Sequence, residues 1–445
     1  MHRKLIFALF LLLALPVGLY LLSQKTNFFQ RAFGEPANLL IDMGSSYSIP
    51  GGVWRNLAQG GEEKGRMLAP VIPQVKSLGI QYVRIDHIFD YYDTLKLDEV
   101  ISDITAIGAK PFIALSYMPP AIARSGDIND LPRDWAEWET LVQKTVERIS
   151  GKSGLNISGV YYEVWNEPDL FGKFKPGGDK SYLELYSHTV SAAQRAANVN
   201  PFKIGGPATT GLYKSWFDAL LKIKERGVRV DFFSWHRYSR DLEDNEDDLL
   251  NIEKWLVDYP NATNLELVVS EMGINSENDK AYDGGLSAIH TLATAAVLEG
   301  RVGKAFNFEI KDGPGPEKYW GRWGILTHEK FGAPEAKPRF QALQFLNNIG
   351  GNKVNVAGSG SWVKAFAKRS GDTTKVLVVN YDKSGRHSEV VPMNFVNLPF
   401  TNFIFRRRDF SGKVTDTNIS VSATSWSTVQ EFSPNTAAIF ELVPQ

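Results

Sequence analysis

The sequence predicts an α/β fold, an eight-stranded (β/α)8 TIM barrel followed by a C-terminal antiparallel β-sandwich. Between about residues 39 and 350, short apolar runs alternate eight times with helical patterns, which is typical of repeated βα units in a parallel sheet. From about Asn352 the pattern changes to short alternating strands separated by Gly, Ser, Asn and Asp, which is typical of a sandwich. A chain of 445 residues can hold one large and one smaller domain.

The predicted barrel strands are short β-branched and aromatic runs. The first is either Leu39–Met43 or the region near Val53. The other seven are Tyr82–Ile85, Pro111–Leu115, Val160–Trp165, Lys203–Gly206, Val230–Trp235, Leu265–Ser270 and Ala305–Ile310. Helical patterns between them include Trp135–Ile149, Tyr182–Asn198 and Leu249–Tyr259.

The domain boundaries follow from this change of pattern. We predict the barrel over residues 39–350 and the sandwich over residues 351–445. A strand over about residues 36–46 fits either unit. Four sandwich strands are predicted, at Trp362–Ala367, Lys375–Asn380, Phe403–Arg407 and Thr436–Leu442.

The N-terminal segment, residues 1–30, is predicted to be a signal anchor and tether. A basic start is followed by Leu5–Leu22, an uncharged stretch that as a helix would span about 27 Å, close to the thickness of a bilayer core. A cleaved signal peptide is the alternative, but Leu21-Leu22-Ser23-Gln24 does not have the small-x-small pattern of a cleavage site. Because positive charge holds the N-terminus in the cytoplasm, we expect an extracytoplasmic protein anchored to the cytoplasmic membrane.

The composition excludes several classes of function. The net charge is −1 and charges of both signs are interspersed, so no basic face suggests a nucleic-acid partner. The chain has no cysteine, which excludes disulfides, thiolate metal sites and a cysteine nucleophile. The high aromatic content of 12% suits both a large core and a cleft in which flat rings stack on sugars.

Polar residues follow the fourth predicted barrel strand. Val160–Trp165 is succeeded by Asn166, Glu167 and Pro168. Proline cannot donate to a sheet ladder, so pairing should end before it. Because the carboxyl ends of barrel strands carry the chemistry of this fold, we expect an amide that orients a substrate beside a carboxyl group that moves a proton.

A second carboxylate ends the seventh predicted strand. Leu265–Ser270 leads into Glu271, and Gly273 then lets the backbone turn away. The fourth and seventh strands of a barrel can present Glu167 and Glu271 to each other across its mouth. Two carboxyl groups about 5–5.5 Å apart would act as the nucleophile and the general acid/base of a retaining glycosidase. The alternative is two unrelated surface glutamates.

Further motifs match a known enzyme family. The matching stretches are Val164–Asp169 (Val-Trp-Asn-Glu-Pro-Asp), Ser270-Glu271, Tyr82–Asp86, His236–Tyr238 and Trp320–Leu346. Together they resemble glycoside hydrolase family 39 over roughly residues 39–350. This family of clan A retaining glycosidases includes β-xylosidases, α-L-iduronidases and some bacterial exopolysaccharide hydrolases. The resemblance implies a barrel with a sandwich, a carbohydrate substrate, and chemistry that needs no metal or organic cofactor.

The resemblance also implies roles for the residues around the two carboxylates. Glu167 would be the acid/base, Glu271 the nucleophile, and Asn166 would bind the sugar 2-hydroxyl. The pKa of Glu271 would then have to be low and that of Glu167 raised.

Three more matched residues would support the carboxylates. Arg84 would lie beneath the nucleophile and keep it ionised. Tyr238 would donate to the nucleophile, and His236 would lie near the acid/base or the sugar. Arg84 could instead be a core partner of Glu163, which shares a strand face with Glu167, and His236 could be a structural histidine.

The segment after the eighth predicted strand offers further candidates for substrate contact. Trp320 and Trp323 are expected to stack on sugar rings. Glu309 and Lys311 end the strand and are expected to contact a substrate hydroxyl or carboxylate.

Two departures from the family pattern limit what can be said about the sugar. The family commonly has His-Gly where this chain has Asp86-His87, and Thr-Glu-Trp/Tyr-Asn where this chain has Ser270–Gly273. The predicted function is therefore a retaining glycosidase acting on a cell-surface or extracellular polysaccharide. A carbohydrate-binding pseudoenzyme and a transglycosylase with the same catalytic pair are the alternatives.

Overall fold

The computed structural model describes residues 34–49, 51–60, 63, 66–90, 94–262 and 264–445. The chain divides into two compact units, Ser48–Gly350 and the described residues up to Tyr47 together with Gly351–Gln445. The predicted membrane segment, Leu5–Leu22, lies outside the described residues. Within the described ranges, no helix combines the length and the apolar character needed to cross a bilayer.

The larger unit is a closed parallel barrel in which a helix follows each strand. The strands are β2 (Asn56–Gln59), β3 (Tyr82–Ile85), β4 (Lys110–Leu115), β5 (Tyr161–Val164), β6 (Lys203–Thr209), β7 (Phe232–Tyr238), β8 (Glu266–Gly273) and β9 (Lys304–Phe308). The helices are α1 (Ile72–Ser77), α2 (Thr94–Ile107), α3 (Trp135–Ile149), α4 (Tyr182–Arg195), α5 (Lys214–Glu225), α6 (Leu242–Leu256), α7 (Gly285–Leu298) and α8 (Pro338–Leu346). This confirms the predicted barrel.

Aromatic side chains fill the interior of the barrel. The central cluster comprises Ala58, Phe112, Tyr161, Phe232, Val268, Phe306 and Phe308. Because successive residues of a strand point to opposite faces, this cluster identifies which residues of each strand face inward and so which ones can line the mouth above it.

The smaller unit is one sheet. Its strands are β1 (Leu39–Tyr47), β10 (Asn352–Ala357), β11 (Val363–Ser370), β12 (Thr373–Asn380), β13 (Glu389–Val396), β14 (Asn402–Asp409), β15 (Val414–Ser420), β16 (Ser425–Phe432) and β17 (Thr436–Pro444). They lie in the order β15-β14-β17-β12-β11-β10-β1-β13-β16. The rings of Phe395 on β13 and Phe405 on β14 lie 6.3 Å apart although these strands are far apart in the sheet. The sheet therefore folds back over one core as a sandwich. Its pairs are antiparallel except β1 with β13.

The structure resolves the ambiguity over the first barrel strand. That strand is Asn56–Gln59, next to the predicted Val53 region. Leu39–Tyr47 pairs with two strands of the smaller unit, and its Leu39, Ile41 and Met43 belong to that unit's core. Alternation alone could not decide between the two, because a half-buried strand fits the edge of either sheet.

Candidate active site

Strands β3, β5 and β7 direct polar side chains into the mouth of the barrel. Tyr82 and Tyr161 pack in or against the central cluster, so Arg84 on β3 and Glu163 on β5 face inward two residues further on. The same alternation from Phe232 turns His236 and Tyr238 inward. These positions lie towards the carboxyl ends of their strands, where this fold carries its chemistry.

Glu271 faces the interior because of a β-bulge. Val268 belongs to the central cluster, so uninterrupted alternation would turn Ser270 inward and Glu271 away. The register with β7 shifts at this point, since Val269 pairs with Trp235 whereas Glu271 pairs with the next residue, His236. One extra residue in β8 therefore re-aims the following side chain, as bulges near active sites do.

The turn after β5 presents Asn166 and Glu167 through an unusual backbone. The φ angles of Trp165 and Glu167 are 73° and 43°, in the left-handed region that non-glycine residues adopt infrequently. The backbone N–H of Glu167 donates to the carbonyl of Ala208 at 2.9 Å, which anchors the turn to the next strand. Such strain is found mainly where the side chains have a function.

The guanidinium of Arg84 joins three groups of the site. It donates to Glu163 Oε2 at 2.7 Å, to Glu271 Oε1 at 2.6 Å and to Asn166 Oδ1 at 2.6 Å. Arg84 therefore fills both proposed roles, because it is the partner of Glu163 and also supports Glu271. Burial lowers the pKa of Arg84, but the charges of Glu163, Glu271 and Asp86 outweigh it, so the pKa is raised and the cation is permanent.

His236 bridges the two candidate catalytic carboxylates. Its Nδ1 lies 2.9 Å from Glu167 Oε1 and 3.5 Å from Glu271 Oε2. An oxygen of each carboxylate lies within 4.8 Å of the other. Burial lowers the pKa of His236, but the charge of Glu271 and the hydrogen bond to Glu167 outweigh it, and the pKa is raised.

The pKa of Glu271 differs from the expectation. Burial raises it, and the charges of His236 and Arg84 offset this only in part, so the pKa of Glu271 is raised rather than lowered. The expectation was wrong because burial disfavours the charged form of Glu271 more than His236 and Arg84 favour it. The guanidinium is shared with Glu163, and the charge of Glu167 acts against the ionisation of Glu271.

Two tyrosines complete the hydrogen-bond network. Tyr238 donates to Glu271 Oε2 at 2.7 Å, as the resemblance implied. Tyr117, which sequence reasoning missed, accepts from Asn166 Nδ2 at 2.8 Å. Burial raises the pKa of both hydroxyls well above the usual value, so both stay protonated. Tyr117 follows the end of β4, and its place after a barrel strand is the same sequence signal that marks Glu167.

The first departure from the family pattern has a structural counterpart. His87 adopts a φ of 56°, the left-handed region that favours the glycine common at this position in the family. Its Nδ1 lies 2.8 Å from Asp90 Oδ2, and its ring contacts Tyr117 edge-on at 4.7 Å. Asp86 is buried beside it. The two residues that differ from the family therefore lie next to the Tyr117–Asn166 pair.

The two tryptophans after β9 are held by an arginine that lies between them. The guanidinium of Arg322 stacks on Trp323 at 3.5 Å and lies 5.3 Å from the ring of Trp320. Trp323 also contacts Phe308 edge-on at 5.2 Å. One face of Trp323 is thus covered by Arg322, and a sugar would have to use the other face.

The side chains of Glu309 and Lys311 are enclosed by the protein. Glu309 is fully buried and accepts from Gln59 Nε2 at 2.9 Å, and burial raises its pKa well above the usual value. Lys311 is also fully buried, with its ammonium 2.9 Å from both Glu63 and Glu329. These contacts hold the loop after β9, and the burial does not support the expected substrate contact.

Two groups of side chains in the described residues have the composition of a cation site. In the first, Glu63, His328 and Glu329, the ammonium of Lys311 already lies between the two carboxylates. The second is Glu167, His236 and Glu271, where Arg84 supplies the positive charge to Glu271. Both groups therefore fit ion pairing within the protein.

The sequence profile of "Glycosyl hydrolases family 39" matches residues 78–259. The matched stretch contains Arg84, Asn166, Glu167, His236 and Tyr238, which the structure brings together. The chain is glycosyl hydrolase family 39-like.

Curated relatives of this family 39-like chain include two proteins named beta-xylosidase. The one from Geobacillus stearothermophilus is 32% identical over 296 residues, 58% of this chain and 57% of that protein. The one from Caldicellulosiruptor saccharolyticus is 32% identical over 161 residues, 34% of this chain and 32% of that protein. The match thus covers about half or less of each relative's length.

Solved structures share the fold of the family 39-like chain. A monomeric beta-xylosidase from Caulobacter crescentus has a TM-score of 0.70 at 19% identity, covering 92% of this chain and 99% of that one. The GH39 enzyme from Xanthomonas axonopodis pv. citri has a TM-score of 0.67 at 19% identity, covering 92% and 98%.

Proposed function

We propose that the protein is a retaining glycoside hydrolase that uses Glu271 as the nucleophile and Glu167 as the general acid/base. The observation that carries the proposal is the proximity of the two carboxylates, whose oxygens approach within 4.8 Å at the carboxyl end of the barrel. This favours the spacing of retaining enzymes, about 5–5.5 Å, over the 6.5–9.5 Å of inverting ones, which must fit a water between the groups.

In the first step, a carboxylate oxygen of Glu271 attacks the anomeric carbon while the bond from that carbon to the leaving-group oxygen breaks. Glu167 gives its proton to that oxygen. His236 Nδ1 holds Glu167 Oε1, so Oε2 is the oxygen that can carry the transferred proton. The sugar is then an ester of Glu271, and Glu167 is an anion.

In the second step, a water gives a proton to Glu167 and its oxygen attacks the anomeric carbon. The bond between the sugar and Glu271 breaks, and Glu271 leaves as a carboxylate. Two displacements at one carbon restore the original configuration. Before the ester forms, the negative charge of Glu271 favours the protonated form of Glu167, which acts as the acid. The ester carries no charge, so Glu167 then acts as the base.

The hydrogen bonds to Glu271 suit a nucleophile that forms an ester bond with the sugar in the first step and leaves as a carboxylate in the second. Arg84 and Tyr238 hold one oxygen each, which fixes the carboxylate plane. The Nδ2 of Asn166 donates to Tyr117, and its second N–H can donate to the sugar 2-hydroxyl, an interaction expected to strengthen in the transition state. The complete set of ionisable and orienting groups favours catalysis over a carbohydrate-binding pseudoenzyme.

The names of the curated relatives suggest which substrates to try first. Both are called beta-xylosidase, so aryl β-xylosides come first, followed by other aryl α- and β-glycosides and by bacterial exopolysaccharides. We further propose that the substrate is an extracellular or cell-surface glycan, because Leu5–Leu22 is predicted to anchor the chain with its domains outside the cytoplasm. Protease digestion of intact spheroplasts should remove the domains. Protection until lysis would contradict this location.

The test of the activity is a screen of these substrates with the 445-residue protein and Glu271→Gln, reading released aglycone or reducing ends. The matched control is Glu253→Gln, since Glu253 is an exposed carboxylate on α6. We expect activity in the wild type and the control and none in Glu271→Gln. Equal activity in all three would remove Glu271 from the mechanism, and a folded wild type that cleaves nothing would contradict a hydrolase for these sugars.

A further inference from the structure

Three exposed apolar side chains lie on the two loops next to the proposed acid/base. Leu170 and Phe171 follow Glu167 and are 54% and 41% exposed, and Tyr213 in the loop after β6 is 43% exposed. Single exposed apolar residues are common on proteins. A group of large ones on adjacent loops of the catalytic rim is the kind of surface that recognises a ligand.

The loop after β5 ties Phe171 to the acid/base. The backbone N–H groups of Leu170 and Phe171 donate to the carbonyl of Glu167 at 3.0 and 2.8 Å. The ring of Phe171 contacts Tyr117 edge-on at 5.9 Å, and Tyr117 accepts from Asn166. The ring is thus held by one edge against the catalytic network while two-fifths of the side chain stays accessible.

The loop after β6 is tied to the same turn. Asp169 accepts from the backbone N–H of Thr210 at 3.0 Å and from its hydroxyl at 2.5 Å. The hydroxyl of Tyr213 lies 3.0 Å from that of Thr210. These bonds engage the polar end of Tyr213 and leave the ring itself exposed.

The chemistry of the acid/base indicates what binds here. A general acid must lie within hydrogen-bonding distance of the atom that it protonates, so the leaving group of the glycoside lies on the side of Glu167. The loop that carries Leu170 and Phe171 is bonded to Glu167 itself, and the loop that carries Tyr213 is bonded to Asp169, two residues further on. The apolar faces of sugar rings are natural partners for flat aromatic side chains that are held in place.

We infer that Phe171 and Tyr213, with Leu170, form a subsite for the sugar of the leaving group, so that the enzyme cleaves between sugar units of an oligosaccharide or polysaccharide. The inference rests on the proposed function, because it takes Glu167 as the acid/base. It adds to that function the residues that contact the leaving-group sugar of the glycan.

The test compares two substrates in Phe171→Ala and Tyr213→Ala. Xylotetraose has a sugar leaving group, whereas β-xylosyl fluoride releases fluoride, which has no ring to stack. Leu250→Ala is the matched control, since Leu250 is 44% exposed on α6. We expect the ratio of kcat/KM on xylotetraose to kcat/KM on the fluoride to fall about two- to tenfold in each aromatic variant and to stay unchanged in the control.

The possible results distinguish failure of the proposed subsite from failure of the proposed hydrolase activity. An unchanged ratio in both aromatic variants, with the wild type active, would overturn the subsite and leave the hydrolase intact. A parallel fall on both substrates would show that the rings only support Glu167, and would also overturn it. A wild type inactive on both substrates would contradict the activity on xylosides, and the inference would fall with it.

Discussion

Strand β8 carries an inward glutamate at each end, and the two have opposite electrostatic environments. At the amino end, Glu266 accepts from Tyr161, Lys203 and Lys304. Burial raises the pKa of Glu266, but the two lysines outweigh it and the pKa is lowered. At the carboxyl end, burial prevails and the pKa of Glu271 is raised.

The difference comes from the ratio of cations to carboxylates at each end. Two ammonium groups serve one carboxylate at the amino end. At the carboxyl end, Arg84 is shared by Glu163 and Glu271, and His236 is shared by Glu167 and Glu271. Among the described residues, Glu163 Oε1 and His236 Nε2 are buried without a hydrogen-bond partner. The amino end is organised for stability, and the carboxyl end keeps charge poorly compensated, as a site that must shift charge during a reaction requires.

The largest effect should come from Glu271→Gln. Loss of the nucleophile should lower kcat by at least about 1000-fold, while the protein stays folded because Arg84 keeps Glu163 and Asn166. Steady-state kinetics with thermal unfolding in parallel would measure both. A variant that retained a tenth of the activity would contradict the assignment.

The converse variant at the other end is Glu266→Gln. It should destabilise the protein by about 3 kcal/mol, because it leaves the partly buried Lys304 without its carboxylate, and the kcat of the folded fraction should stay unchanged. Urea denaturation would give the free energy of unfolding. An unaltered free energy of unfolding would show that the ion pairs of Glu266 with the two lysines do not stabilise the fold, which would contradict the contrast between the two ends of β8.

His236→Gln should reduce kcat about 100-fold, because it removes the side chain that holds Glu167 Oε1. The pH profile should change shape as well, since His236 faces both Glu167 and Glu271. His188→Gln is the control, because His188 makes a similar contact with Glu139 on the outer helices. Equal effects of the two substitutions would indicate a purely structural role.

The smallest effect concerns stability and pH. A raised folded-state pKa means that Glu271 binds its proton more tightly in the folded than in the unfolded state, so its contribution to stability falls as pH rises above its unfolded value. Glu271→Gln should therefore be more stable than the wild type at neutral pH and lose that advantage in acid. For Glu266 the pKa is lowered, so its contribution is present above the unfolded value and is lost as pH falls. Unfolding at several pH values would measure both slopes, and parallel slopes would contradict the contrast.

Much of this site could be predicted because the end of a barrel strand is recognisable in the sequence, where an apolar run gives way to polar residues. The runs before Asn166 and before Glu271 were recognisable, and both side chains lie at the carboxyl rim. The bulge at Ser270 was not predictable, since one extra residue in a strand leaves no mark in the apolar pattern. The shared use of Arg84 also escaped the sequence, because it depends on which side chains of other strands reach the same point.

The loop after β9 and the smaller unit show the same limit. Trp320 and Trp323 were singled out as aromatic residues near the rim, but the stacking of Arg322 on Trp323 depends on the path of the loop. Strands β15 and β16 were not predicted because their residues are largely exposed and polar, which leaves no apolar alternation to read.

The most direct test of the central claim is to trap the covalent intermediate. A 2-deoxy-2-fluoro-β-xyloside with a good leaving group should inactivate the enzyme, because the fluorine slows both steps and the good leaving group restores only the first. Mass spectrometry of the digested protein should find one fluoroxylosyl group on the peptide that contains Glu271. A label on Glu163 or Glu167, or turnover of β-xylosides without any labelled peptide, would contradict the mechanism.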